Sequence, residues 1–216
     1  MSLAATRRAL SVVHRELDAC RACPKMSGPP VHCGAVASKV LLVGQAPGPR
    51  EGKLGRPFAW TAGKTLFKWF EAGLGVDEET FRARVYMAAV ARCFPGKAKG
   101  GGDRKPDPNE IARCRRFLES EVDALEPELV VPVGALAIQQ VLVPEGGKVA
   151  NELKLADVVG EKLPAVYHGR RVDVIALPHP SGASTWHRTE RGRALLERAL
   201  SALARHPAMK AALRGA

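Results

Sequence analysis

The chain has 216 residues, 46% of them hydrophobic, which fits a globular protein with a substantial core. Lys and Arg total 33 against 22 Asp and Glu, and the resulting charge of +11 favours a polyanionic partner, nucleic acid first. No apolar stretch approaches the ~20 residues of a membrane helix, and the N-terminus turns polar at His14-Arg15-Glu16, so the expected protein is cytoplasmic, monomeric and free of membrane, with no signal peptide.

In chain order, residues 3–19 read as an amphipathic helix ending at Cys20-Arg21-Ala22-Cys23-Pro24, and residues 24–38 as a Pro-, Gly- and Ser-rich loop. Lys39–Val43 is the first strand, and a long loop covers 44–61. Gly63–Ala72 carries Leu66, Phe67, Trp69 and Phe70 near helical spacing, with Gly73 as its stop. Arg84–Val90 is the second strand, and residues 94–107 form a Gly, Lys and Pro loop. Asp107 then caps a helix that has Pro108 in its first turn and runs to about Leu125. Glu128–Val133 is the third strand and Gly134–Leu142 a helix; residues 144–170 read as irregular. Val172–Leu177 is the fourth strand, and Arg188–Arg205 the last long helix. Strands alternating with helices imply one α/β domain over 1–216, three-layered α/β/α, around a mostly parallel four-stranded sheet.

Two loops that follow apolar strands stand out. Gly44-Gln45-Ala46-Pro47-Gly48-Pro49-Arg50-Glu51, with Gly55-Arg56-Pro57-Phe58, offers backbone donors and an aromatic face. His179-Pro180-Ser181-Gly182-Ala183-Ser184 offers an imidazole beside small hydroxyls. In an open α/β sheet such loops meet at the carboxyl ends of the strands. Together they suit gripping a planar base and drawing charge off it. Separately, Cys20 and Cys23 form a Cys-x-x-Cys pair with Cys93 and Cys114 further on, which reads as a metal or iron–sulfur site. Cys33 stands outside that pattern and reads as a buried thiol.

These pieces, in this order, resemble the uracil-DNA glycosylase superfamily in its iron–sulfur-containing branch, families 4 and 5. The first motif is Gly44–Gly48 with Gly55–Phe58 and Ala62-Gly63. Tyr86–Cys93 resembles the second-strand motif, Pro106–Cys114 the following helix start, and His179-Pro180-Ser181 the second catalytic motif. The resemblance implies a DNA-repair hydrolase that flips uracil out of DNA and cleaves its N-glycosidic bond. It also implies a 4Fe-4S cluster on Cys20, Cys23, Cys93 and Cys114; four cysteines would equally suit tetrahedral zinc. His179 would donate to the leaving uracil, with the backbone at Gln45 and Ala46 binding base or water. Pro47, Gly48, Phe58, Ala89 and Ser181 would complete the base pocket, with Phe58 as stacking platform. Arg50, Arg56, Lys97 and Arg104 would contact phosphates, with Ser184 nearby and Trp186 as the wedge that fills the gap in the duplex.

The chain departs from the family pattern at three places, the first being Gln45, where the iron–sulfur branch often has Glu. Many members have an Asp, for the attacking water, where this chain has Ala46, and Glu51 is the nearest carboxylate nominated in its stead. An Asn that reads the uracil edge is commonly found at the position of Ala89. Its loss opens the alternative of a broader glycosylase that also takes hypoxanthine or xanthine. From another class, a non-catalytic iron–sulfur protein that binds nucleic acid would have no use for His179.

Overall fold

The computed structural model describes residues 1–143, 154–182 and 184–214; Ala183 of the His179 motif and residues 144–153 of the segment read as irregular lie outside these. Strand β1 (Val40–Gly44) is buried along its whole length. Its run of Val and Leu suits a strand covered on both faces. On one side it pairs in parallel with β2 (Tyr86–Ala89), Gly44 opposite Ala89. On the other it pairs in parallel with β3 (Leu129–Pro132), Val43 opposite Pro132. Beyond β3 lie β5 (Arg170–Ile175), parallel, and β4 (Lys162–Tyr167), antiparallel, giving the order β2-β1-β3-β5-β4.

After β1 the chain crosses through α2 (Glu51–Leu54), α3 (Thr61–Leu74) and α4 (Glu78–Arg84) to β2. It then crosses back through α5 (Pro108–Leu125) to β3, with α6 (Ala135–Leu142) next. Right-handed crossovers that run in opposite directions place their helices on opposite faces of the sheet. Accordingly the N-terminal helix α1 (Leu3–Asp18) packs on α5, whereas α8 (Glu190–Arg205) packs on α3. The helix starts follow from the sequence. Asp107 accepts from the Glu110 N–H and Glu110 returns a bond to the Asp107 N–H, a capping box that opens α5 with Pro108 in its first turn.

The sheet thus has a fifth strand where the sequence reads as irregular. Pro164 and alternating exposure disguise β4, and both suit an edge strand. Its two-residue turn to β5, His168-Gly169, has both residues at positive φ (45° and 77°), a hairpin turn without the usual Asn-Gly signal. Short helices α2, α4, α7 (Leu155–Val158) and α9 (Pro207–Arg214) were likewise unforeseen. Gly73 does not end α3. It lies inside that helix against Leu200 of α8, and Gly75 makes the left-handed stop. Among the described residues no helix is long and apolar enough to cross a membrane.

Candidate active site

Strands β2 and β3 leave β1 in opposite directions, so the sheet has its switch point there, where α/β folds open a crevice. A cavity of about 430 Å³ occupies this place, in the usual range for small-molecule sites. Gln45, Ala46, Pro47 and Gly48 line it from the end of β1, Ala89 from the end of β2, and His179 and Ser181 from the loop after β5. The two loops singled out by sequence therefore share one chamber.

His179 packs over Gly134, the residue that leads from β3 into α6. Gly134 has φ +88°, and a Cβ there would stand 2.9 Å from the imidazole Cδ2, so both the turn and the ring need glycine. The Ser181 N–H donates to His179 Nδ1 at 3.2 Å, and the Ser181 hydroxyl lies 2.9 Å from the same nitrogen. A backbone N–H can only donate, so Nδ1 accepts and Nε2 carries the proton. Burial lowers the His179 pKa below 6.5, with the nearby Asp103 charge opposing and His187 adding to it. At neutral pH this residue is a neutral imidazole with an Nε2–H to give.

Phe58 lines the cavity from a left-handed backbone (φ 51°), its ring laid against Gly44. Its carbonyl is fixed twice. Arg82 donates to it at 2.9 Å, and to the Pro57 carbonyl at 2.8 Å, while Gly63 of α3 fits so close that a Cβ would overlap the Phe58 oxygen, 1.7 Å away. The Gln45 carbonyl accepts from the Ala91 N–H at 3.0 Å, and that of Gly44 from the Val90 N–H at 2.9 Å, so the first motif is tied to the segment leading to Cys93.

Glu51 has a different job from the one its position suggests. It is buried at the start of α2, and its two oxygens accept from the Gly48 and Ala59 N–H groups at 2.7 and 2.8 Å. Burial raises its pKa and the two amides oppose the shift. It braces the loop from within. Sequence reasoning missed Asp103, a second carboxylate at the same cavity, and Trp60, a cavity-lining residue that is 39% exposed and has the Arg50 guanidinium 4.2 Å above its ring.

Several residues nominated for DNA are otherwise engaged. Arg104 forks onto both Glu110 oxygens at 2.7 and 2.8 Å and bonds the Pro95 carbonyl, so it shapes the loop. Arg56 pairs with Glu78 and Glu79 at the start of α4. Lys97 lines the cavity but holds Asp103 at 2.6 Å. Trp186 is half-buried in a 3₁₀ turn, packed on the core, and is no exposed wedge. The half-buried Ser184 donates its N–H to the Ser181 carbonyl and so helps close the turn beyond His179.

The four patterned cysteines lie where α1 ends, where β2 ends and on α5. Cys93 and Cys114 each feel the charges of Cys20 and Cys23. Burial is the main cause that raises their pKa values, that of Cys93 to about 11. Among the described residues, no three His, Cys, Asp or Glu side chains form a group that could hold a single metal ion. Cys33 is the buried thiol expected of it, pushed up to about 12 by burial, and it takes a bond from the Met87 N–H.

Relatives of known function can now be set beside this geometry. Residues 31–204 match the family model described as the uracil DNA glycosylase superfamily. A Type-4 uracil-DNA glycosylase of Archaeoglobus fulgidus is 28% identical over 175 residues, covering 80% of this chain and 81% of the relative. Proteins of the same name from Sulfurisphaera tokodaii and Thermotoga maritima are 28% and 31% identical, over 69% and 60% of this chain. The aligned part spans 63% and 64% of those two relatives, a little under two thirds of their length. A family match over most of its length, carried on a chamber built from the same motifs, makes this chain a member of the uracil DNA glycosylase superfamily.

Proposed function

We infer that the protein is a DNA glycosylase that takes a flipped uracil into the chamber and hydrolyses its bond to deoxyribose, leaving an abasic site. The observation that carries this reading is His179: a neutral imidazole with its proton on Nε2, in the same cavity as Phe58 and Gln45. Extruding a base costs a few kcal/mol of pairing and stacking. Stacking on Phe58 returns ~1–3 kcal/mol of that. As the bond to the sugar stretches, negative charge gathers on the departing base, and a fixed donor at that charge is the largest single catalytic aid. The Nε2–H is such a donor. It needs no protonated imidazole, because a hydrogen bond that strengthens toward the transition state is what accelerates the step.

The apolar wall supports a second, broader reading. Ala89 brings only a methyl group to the cavity, so no side-chain amide there rejects a base with a different edge. Hypoxanthine and xanthine are then substrates alongside uracil. Arg50, Trp60 and Lys105 line the mouth and suit phosphates and flanking bases.

Cys20, Cys23, Cys93 and Cys114 would hold a four-iron cluster, which would clamp the end of α1 to β2 and α5. Support comes from the donor set: four thiols within electrostatic reach of one another, on the three elements such a clamp would join. Four thiolates also suit tetrahedral zinc, and metal analysis of the purified protein separates the two.

The test is excision from oligonucleotides carrying uracil, hypoxanthine or xanthine, read as alkali-labile breaks. The wild-type chain should cleave at uracil, and His179→Ala should lose at least a hundredfold in single-turnover rate. Equal rates would remove His179 from its role.

A further inference from the structure

We propose that Asp103, on the loop between β2 and α5, is the carboxylate that faces the reacting sugar carbon and takes the proton of the attacking water. The proposal rests on the glycosylase reading of the same chamber. Three observations carry it.

First, among the described residues the chamber otherwise lacks a carboxylate free to act. The first motif has Ala46 where an acid could stand, and both oxygens of Glu51 are occupied by backbone amides. Second, Asp103 lines that chamber. Its Oδ2 lies 3.7 Å from where a Cβ on Gly48 would stand, as does Glu51 Oε2, so the two carboxylates flank one corner of the first motif. Lys97 Nζ holds Oδ1 at 2.6 Å, and Oδ2 has no hydrogen-bond partner among the described residues. One oxygen is anchored and the other is available, the arrangement a general base requires.

Third, the loop that presents Asp103 is braced. Lys97 and Asp103 form a β-bridge, the Ala98 N–H donates to the Gly102 carbonyl at 3.2 Å, and the Arg104 N–H to that of Gly96 at 2.8 Å. The Arg104 fork onto Glu110 fastens the loop's end to the first turn of α5. A side chain fixed at both loop ends can hold a water in line with the sugar.

The water oxygen bonds to the sugar C1′ while the C1′–N bond breaks. The bonding pair leaves with the base, whose charge the His179 Nε2–H stabilises. The water's proton passes to Asp103 Oδ2 and from there to solvent or the freed base. An ionised Asp103 also favours the positive charge that builds on the sugar.

The experiment compares wild type, Asp103→Asn, Asp103→Glu and His179→Ala, measuring single-turnover excision of uracil between pH 4 and 9, DNA affinity and thermal midpoint. Asp103→Asn should lose about a hundredfold or more in rate while keeping its midpoint and DNA affinity. Asp103→Glu should recover part of the rate. The titratable groups facing Asp103 are Lys97 on its own loop, Glu51 on α2 and His179 beyond β5, with Lys105 at the mouth. His179→Ala sets the loss expected when the donor to the leaving base is removed. Uracil excision by wild type with an Asp103→Asn rate within threefold of it, or no recovery of rate in Asp103→Glu, would overturn the proposal while leaving the glycosylase reading intact. A wild-type chain inert on every base would overturn both.

Discussion

Under the glycosylase reading proposed above, Ala89 is the wall that bears on which bases fit, and one side chain is enough to test that. The wall at the end of β2 is a methyl group, set opposite Gly44 in register. An amide there would offer a paired donor and acceptor to the uracil edge and leave unpaired polar atoms against a purine. Ala89→Asn should therefore keep uracil excision while lowering hypoxanthine excision by tenfold or more, checked as a ratio of rates on matched oligonucleotides. At this scale the meeting of His179, Gln45 and Phe58 in one cavity was legible in the sequence, because short motifs after apolar strands fix where loops meet. The carboxylates were not. Glu51 looked available because sequence does not show that backbone N–H groups occupy its oxygens. Asp103 was invisible because it enters the chamber from a loop more than fifty residues away, with only Lys97 to mark it.

Among the elements, the parallel strands β1, β2, β3 and β5 and the start of α5 could be read directly, since continuous apolar runs and a capping residue leave few alternatives. The edge strand β4 could not, because Pro164 and exposed alternate positions imitate a loop. The junction of α1, β2 and α5 is where the cysteines gather, and Cys23 is the one to change, being half-buried in a turn and free of helix or strand. Cys23→Ser should lower iron and acid-labile sulfide per chain by at least half, measured beside His179→Ala, which should keep both. Zinc in the wild-type protein, or undiminished iron in the variant, would break the assignment.

Across the whole molecule, stability is tied to a polar chain that runs through the interior from α1 to α5. His14 lies 2.9 Å from the Tyr86 hydroxyl, which donates to Glu121 at 2.7 Å, and Glu121 pairs with the fully buried Arg92. Burial, with His32 and Arg92 adding, lowers the His14 pKa to about 4. The unfolded chain takes up that proton near pH 6.5 and the folded chain only near 4, so the folded state loses ground as pH falls through this window. Urea unfolding should show roughly 1–2 kcal/mol less stability at pH 5 than at pH 7 from this residue, and His14→Gln should flatten the slope. The charge of +11 acts at the same scale but is partly used internally, since Arg56, Arg92 and Arg104 all answer acids of the protein itself.

The fit of Gly63 beneath the Phe58 carbonyl has a consequence for the speed of recognition. Helix α3 and the side chain of Arg82 clamp that peptide from two directions. The backbone that carries the Phe58 ring is thereby held by the scaffold, so that its ordering is part of folding rather than of ligand binding. On the glycosylase reading, an extruded base would enter a slot already shaped, with little entropy left for the encounter itself to remove.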